Sequence, residues 1–140
     1  MWQQLFEKID TTLAGVTLVK KIFTTPQAKI DKYPAVFYKP VDFQNNFDTT
    51  TDNAQTFRFT MDVIVGSNGT TVDNAFRVVL PKVVDAIVDA FDSAWNGGTI
   101  DGHRVRVKID SAGEWGVTDD KDGAEAVAPL SVEIKLLKSV

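Results

Sequence analysis

Phe57-Arg58-Phe59-Thr60-Met61-Asp62-Val63-Ile64-Val65 alternates apolar and polar side chains almost to its end. A period of two sets Phe57, Phe59, Met61, Val63 and Val65 on one face of a strand, with Arg58, Thr60, Asp62 and Ile64 on the other. One buried face and one mostly wet face point to an antiparallel sheet covered on one side. The strand runs from about 54 to 65, and the next segment supplies the cover. Gly66-Ser67-Asn68-Gly69 reads as a turn and Thr70 or Thr71 as an N-cap, with a helix following to about residue 94. Along it Val72, Phe76, Val79, Leu80, Val83, Val84, Ile87, Val88 and Phe91 form an apolar stripe wide enough to lie flat on a sheet. Pro81 kinks or restarts this helix, and Asn96-Gly97-Gly98 closes it.

Upstream, Trp2, Leu5, Phe6, Ile9 and Leu13 recur at helical spacing, so residues 1–14 form a short amphipathic helix that Gly15 stops. Residues 16–23 are a strand or an extended connector, and 24–32 a polar loop. Tyr33-Pro34-Ala35-Val36-Phe37-Tyr38 is a strand, with Pro34 at its first position or on an edge. Residues 42–53, with Asn45-Asn46 and three consecutive Thr, form an extended hairpin tip or arm. Downstream, Val105, Val107 and Ile109 alternate with Arg104, Arg106 and Lys108. Residues 114–118 and 126–137 give two more strands, joined by the turn Asp119-Asp120-Lys121-Asp122-Gly123. Strands grouped in blocks predict an α+β fold. It has a mainly antiparallel sheet of about five strands, with a short N-terminal helix and one long helix packed on it. Residues 1–140 read as a single domain, with no internal repeat or linker.

The composition excludes several function classes. The chain holds 140 residues, 44% hydrophobic and 24% charged, which is ordinary globular composition. With no cysteine there is no disulfide framework, thiolate metal site or cysteine nucleophile. The net charge of −4 argues against a general nucleic-acid coat. The apolar runs fall far short of the roughly 20 residues that span a bilayer, and the mixed N-terminus is no signal peptide. A soluble protein made in the cytoplasm, without a membrane partner, is expected.

Catalytic signatures are missing. His103 stands alone in an Asp-Gly-His turn and reads as a turn or surface residue. The acidic turn at 119–123 fails the EF-hand spacing, since position 1 falls on Thr118 and position 12 on Pro129. The turn at 66–71 precedes a helix but carries no lysine, so it is no P-loop. The acidic residues nominate no acid–base pair, and neither enzyme activity, metal nor cofactor is expected.

Two features rise above this background. Arg104, Arg106 and Lys108 put three cations on one strand face of an acidic protein, which suits a solvated surface, an acidic partner or DNA. Phe43 and Phe47, with Asn45 and Asn46 between them, set aromatics in a polar arm. Such aromatics either pack back on their own domain or become buried on association.

The order of elements resembles that of tail terminator (tail completion, head–tail joining) proteins of long-tailed bacteriophages. The likeness rests on the N-terminal amphipathic helix, on Lys32-Tyr33-Pro34-Ala35-Val36, and on the strand 57–65 running into a helix that ends Val84-Asp85-Ala86-Ile87-Val88-Asp89-Ala90-Phe91. It rests also on Glu114-Trp115-Gly116-Val117 before a final alternating strand. Pro81 and the insertion at 42–53 depart from it. The resemblance implies a virion protein at the head-proximal end of the tail, assembled as a homo-oligomeric, hexameric ring that ends tube polymerisation. Its partners would be further copies of itself, the tail tube protein and a head-completion or neck protein, with DNA only passing through the channel. Phe43, Phe47, Asn45 and Asn46 would then serve the ring or tube contact, and Arg104, Arg106 and Lys108 would face a neighbour or the channel. A head-closure or neck connector, a tail-tube subunit and, from another class, a small-ligand-binding α+β domain remain the alternatives.

Overall fold

A seven-stranded sheet carries its helices on one face. The computed structural model describes the chain apart from residues 28, 48–51, 68–70, 121, 122 and 140. Helix α1 (Trp2–Ala14) leads into β1 (Lys21–Phe23), β2 (Ala35–Phe47) and β3 (Asp52–Gly66). Then come α2 (Val72–Asn74), a π-helical turn (Ala75–Val79) and α3 (Leu80–Trp95). The strands β4 (Thr99–Ile100), β5 (His103–Ser111), β6 (Gly116–Asp120) and β7 (Gly123–Ser139) complete the chain. The sheet order is β1-β2-β3-β7-β5-β4, with β6 also on β7. Among the described residues only β1–β2 is parallel. The fold is α+β with a mainly antiparallel sheet, as the alternation at 57–65 predicts; the two- and three-residue strands β4 and β1 raise the count above five.

Leu5, Ile9 and Leu13 of α1 and Leu80, Val83, Ile87, Phe91 and Trp95 of α3 are buried against Tyr38, Phe59, Met61, Val132, Ile134 and Leu136 of the sheet. Each such large apolar side chain contributes about 1.5–3 kcal/mol when fully buried. A smaller cluster of Phe23, Ala35 and Ile64 lies apart from this core, with Ile30, Tyr33, Phe37 and Val127 packed around it. It explains why Ile64 is apolar among the polar residues of its face.

Pro81 leaves its mark one turn early. In the π-helical turn the Leu80 N–H reaches the Ala75 carbonyl, five residues back. The next residue has no N–H, and its ring presses toward the carbonyl four residues before it, so the widened turn is where the helix makes room. Thr71 caps the start: its Oγ1 accepts the Asn74 N–H at 3.1 Å. Thr70, the other expected cap, lies outside the described residues.

The 42–53 segment differs from a loose arm. The β2–β3 ladder continues unbroken from Asp42↔Arg58 to Phe47↔Asn53, so both sides of this segment are strand up to residues 48–51. A bulge intervenes: Pro40 faces Phe59 and Asp42 faces Arg58, leaving Val41 as the extra residue. Sequence reading also ends β6 and begins β7 too far from the acidic turn. Asp119 and Asp120 belong to β6 and pair with Ala124 and Gly123.

Pro129 sits in a central strand without breaking it. The outer edge of β7 is shared end to end by β6, up to Val127, and β5, from Leu130. The Pro129 carbonyl accepts the Ala112 N–H at 2.8 Å, so its own missing N–H points into the gap between those two strands. The β3 ladder on the other side loses nothing.

Candidate assembly surfaces

The arm is founded on aromatic packing. Phe43 stacks on Phe57, with centroids 5.9 Å apart, and Trp2 meets Phe43, Phe57 and Phe59 edge-on at 6.2, 4.8 and 5.5 Å. The bulge at Val41 makes this possible, since it shifts the alternation so that Phe43 falls on the helix-covered face. Phe43 nonetheless remains 54% exposed, and Val41 beside it is exposed too. The two expectations for this aromatic therefore meet: one side packs on its own domain and the other stays bare. Asn45 is exposed and pairs with Gln55. Asn46 and Phe47 pair with Ala54 and Asn53 through the backbone, and their side chains lie outside what the structure describes. Beyond Phe37, β2 has no strand on its outer side among the described residues.

Arg104, Arg106 and Lys108 are all exposed on the sheet face that carries no helix. The register brings Arg106 directly opposite Lys135 and Lys108 opposite Glu133. Arg58 lies on the other side of Glu133, and its guanidinium reaches Asp42 at 3.1 Å. One row across four strands thus reads Lys108, Glu133, Arg58, Asp42 in alternating sign, while the neighbouring pair Arg106–Lys135 is like-charged. A shallow cleft of about 420 Å³ opens here, lined by Arg106, Lys108, Lys135, Glu133, Val107 and the Asn96-Gly97 turn. It presents three cations against one carboxylate.

Asn96 closes the neighbouring sheet edge. Its Oδ1 accepts the Val107 N–H at 2.8 Å and its Nδ2 donates to the Val107 carbonyl at 3.3 Å. The side chain stands in for one residue of a missing strand. Val105 donates to the Gly98 carbonyl at 3.2 Å, extending that cover.

Sequence reading missed a charged surface on the opposite layer. Asp85, Asp89 and Asp92 are exposed on α3, away from the buried stripe of Leu80, Val83, Val84, Ile87, Phe91 and Trp95. Their spacing of four and then three residues is one helical face, and that signal was in the sequence. The last turn of α3 holds no basic residue.

The remaining sequence candidates fall apart as sites. His103 begins β5 opposite Ile100, after the two-residue turn Asp101-Gly102, whose φ values of 52° and 80° are both positive. The acidic turn lies partly outside the described residues, and the side chains of Asp119 and Asp120 are not described. Among the described residues no group of three or more His, Asp or Glu is placed to hold a metal ion. No described helix is long and apolar enough to cross a membrane. The space between helices and sheet is filled by Trp95, Tyr38, Phe59, Phe91 and their neighbours.

No family model matches this chain, and no curated protein matches it. Among solved structures, the fold is similar to a chain in the virion of a native gene transfer agent particle. That similarity has a TM-score of 0.48 and 16% sequence identity, over 98% of this chain and 91% of the other.

Proposed function

We propose that this chain is a structural virion protein that caps a phage tail tube as a ring, ends tube polymerisation and forms part of the head–tail joint. The observation that carries the proposal is the paired β2–β3 arm. It is the far end of the β2–β3 pair, footed on Trp2 and Phe57 and flanked by β7 as far as Asp52↔Ser139, with Phe43 half bare along it. An exposed aromatic on a rigid support is the kind of anchor that gains most of its energy when a partner excludes water from it. The chain order that resembles tail terminators supports the same reading. The filled space between helices and sheet disfavours the small-ligand alternative, which needs a cavity there.

The test is arrest of growth. Tube subunits of the same phage are polymerised with and without the purified protein, and the ends are imaged. Ring-shaped density at one tube end and shortened tubes are expected, and both effects weaken in Phe43→Ala. Tubes of unchanged length with bare ends would overturn the proposal.

A further inference from the structure

We propose that the acidic stripe of α3 docks on the basic bare face of β5 in a second copy of this chain, so that copies join head to tail. The inference rests on the ring reading above and assigns its contact.

The two surfaces are of opposite net sign and each sets like charges side by side, although Lys108 reaches Asp110 at 3.4 Å and Lys82 lies beside the aspartates. Asp85, Asp89 and Asp92 lie in the C-terminal two-thirds of α3. Of these only Asp92 stands in the last turn, where the helix macrodipole disfavours a carboxylate, and Asn96 Nδ2 donates to it at 3.3 Å. Asp85 and Asp89 are also like charges four residues apart, which weakens a helix further. On the sheet, Arg106 faces Lys135 in register, and like charges directly opposite destabilise a strand pair. Arg104 and Arg106 make no ion pair among the described residues. A partner of opposite sign relieves each surface, and the chain itself carries both.

The geometry favours a heterologous contact. The three carboxylates point away from the sheet, and the cations point away from the helices, so the two patches lie on opposite faces of a two-layer molecule. Such patches cannot meet within one chain. A contact between different patches on identical subunits closes into a ring when its rotation allows. The cleft walled by Arg106, Lys108 and Lys135 gives the incoming helix face a recess. Attraction between exposed charges at this range is screened over about 8 Å at physiological salt, so assembly should weaken as salt is added.

The experiment exchanges the charges and measures mass by sedimentation and light scattering at low and high salt. One variant carries Asp85→Lys and Asp89→Lys; another carries Arg104→Glu and Arg106→Glu. All four positions are exposed, and circular dichroism melts check that both variants fold. Each variant alone should associate more weakly than the parent, on the order of tenfold or more. An equimolar mixture should recover association, because each reversed helix then meets a reversed strand. Single variants that form rings like the parent would overturn this contact and leave the capping proposal standing, since tube arrest is read separately. Loss confined to the strand variant, with no recovery in the mixture, would also overturn it and assign the cations to the channel instead. A parent that stays monomeric at every concentration and salt overturns it as well.

Discussion

The Trp95 indole N–H donates to Thr12 Oγ1 at 2.9 Å, joining the last turn of α3 to the last turn of α1 inside the core. Thr12 in turn donates to the Lys8 carbonyl at 2.7 Å, and the Lys8 ammonium lies 5.3 Å from the centroid of the Trp95 ring. The two helices are thereby held in one register. Replacing Thr12 by Val keeps the shape but leaves the buried indole N–H without its acceptor. A loss of about 1–3 kcal/mol is expected in urea unfolding, while Thr12→Ser keeps most of the stability. A Thr12→Val variant as stable as the parent would show that the bond contributes nothing.

Tyr38 is fully buried, and its hydroxyl donates to Asp10 at 2.5 Å. Burial first, and then the Asp10 bond and charge, push its pKa far above the usual phenol value of 10.0. The folded pKa is raised, so its contribution is complete below the unfolded value and is lost as pH rises above it. Tyr38→Phe should cost about 0.5–1.5 kcal/mol at neutral pH. Above pH 10 the parent should lose stability more steeply than the variant, which alkaline unfolding curves would show.

Asp62 faces the helix-free side between Phe37 and Pro129. Burial raises its pKa above the ordinary 3.8, and the Lys39 ammonium offsets part of that. A raised carboxyl pKa means that the neutral form fits the fold better. The contribution is therefore present below the unfolded value and is lost as pH rises through the folded one. Asp62→Asn should raise the melting temperature at pH 7, and the gain should vanish below about pH 4. A variant less stable than the parent at pH 7 would mean that the carboxylate has a favourable partner.

Gly66 lies under the Tyr33 ring, and a Cβ there would stand 2.7 Å from it. The ring cannot step aside freely, because the Tyr33 hydroxyl is bonded to Glu125, the residue paired with Gly66. Gly66→Ala should cost about 1–3 kcal/mol through overpacking. In a Tyr33→Ala background the same change should be nearly neutral, so a double-mutant cycle in denaturant checks the pairing.

Much of the fold was legible because two periods dominate it. The alternation from Phe57 to Val65 and the stripe from Leu80 to Phe91 identify the sheet, the long helix and the face between them. Strand partners were not legible, because pairing is set by distant residues. That β5 and β6 lie end to end on β7 follows from packing, and Pro129 only marks the junction. β4 is foreshadowed by Asp101-Gly102, a hairpin signal as well as a turn before His103. The basic strand face was visible in sequence, but its opposition to Lys135 and Glu133 needs the register. The common face of the three aspartates of α3 follows from their spacing on a helix that the sequence itself predicts.

The single extra residue at Val41 also constrains how this scaffold can vary. It works like a phase shift in a two-beat pattern, and everything beyond it toward residues 48–51 keeps the shifted beat. Pairing Val41 regularly, without the bulge, would turn Phe43 onto the charged side and bring Asp42 against Trp2 and Phe57, whereas deleting Val41 would remove the bulge and leave Phe43 where it is. A further single-residue insertion in either strand must likewise be absorbed by a bulge if the faces beyond it are to be kept.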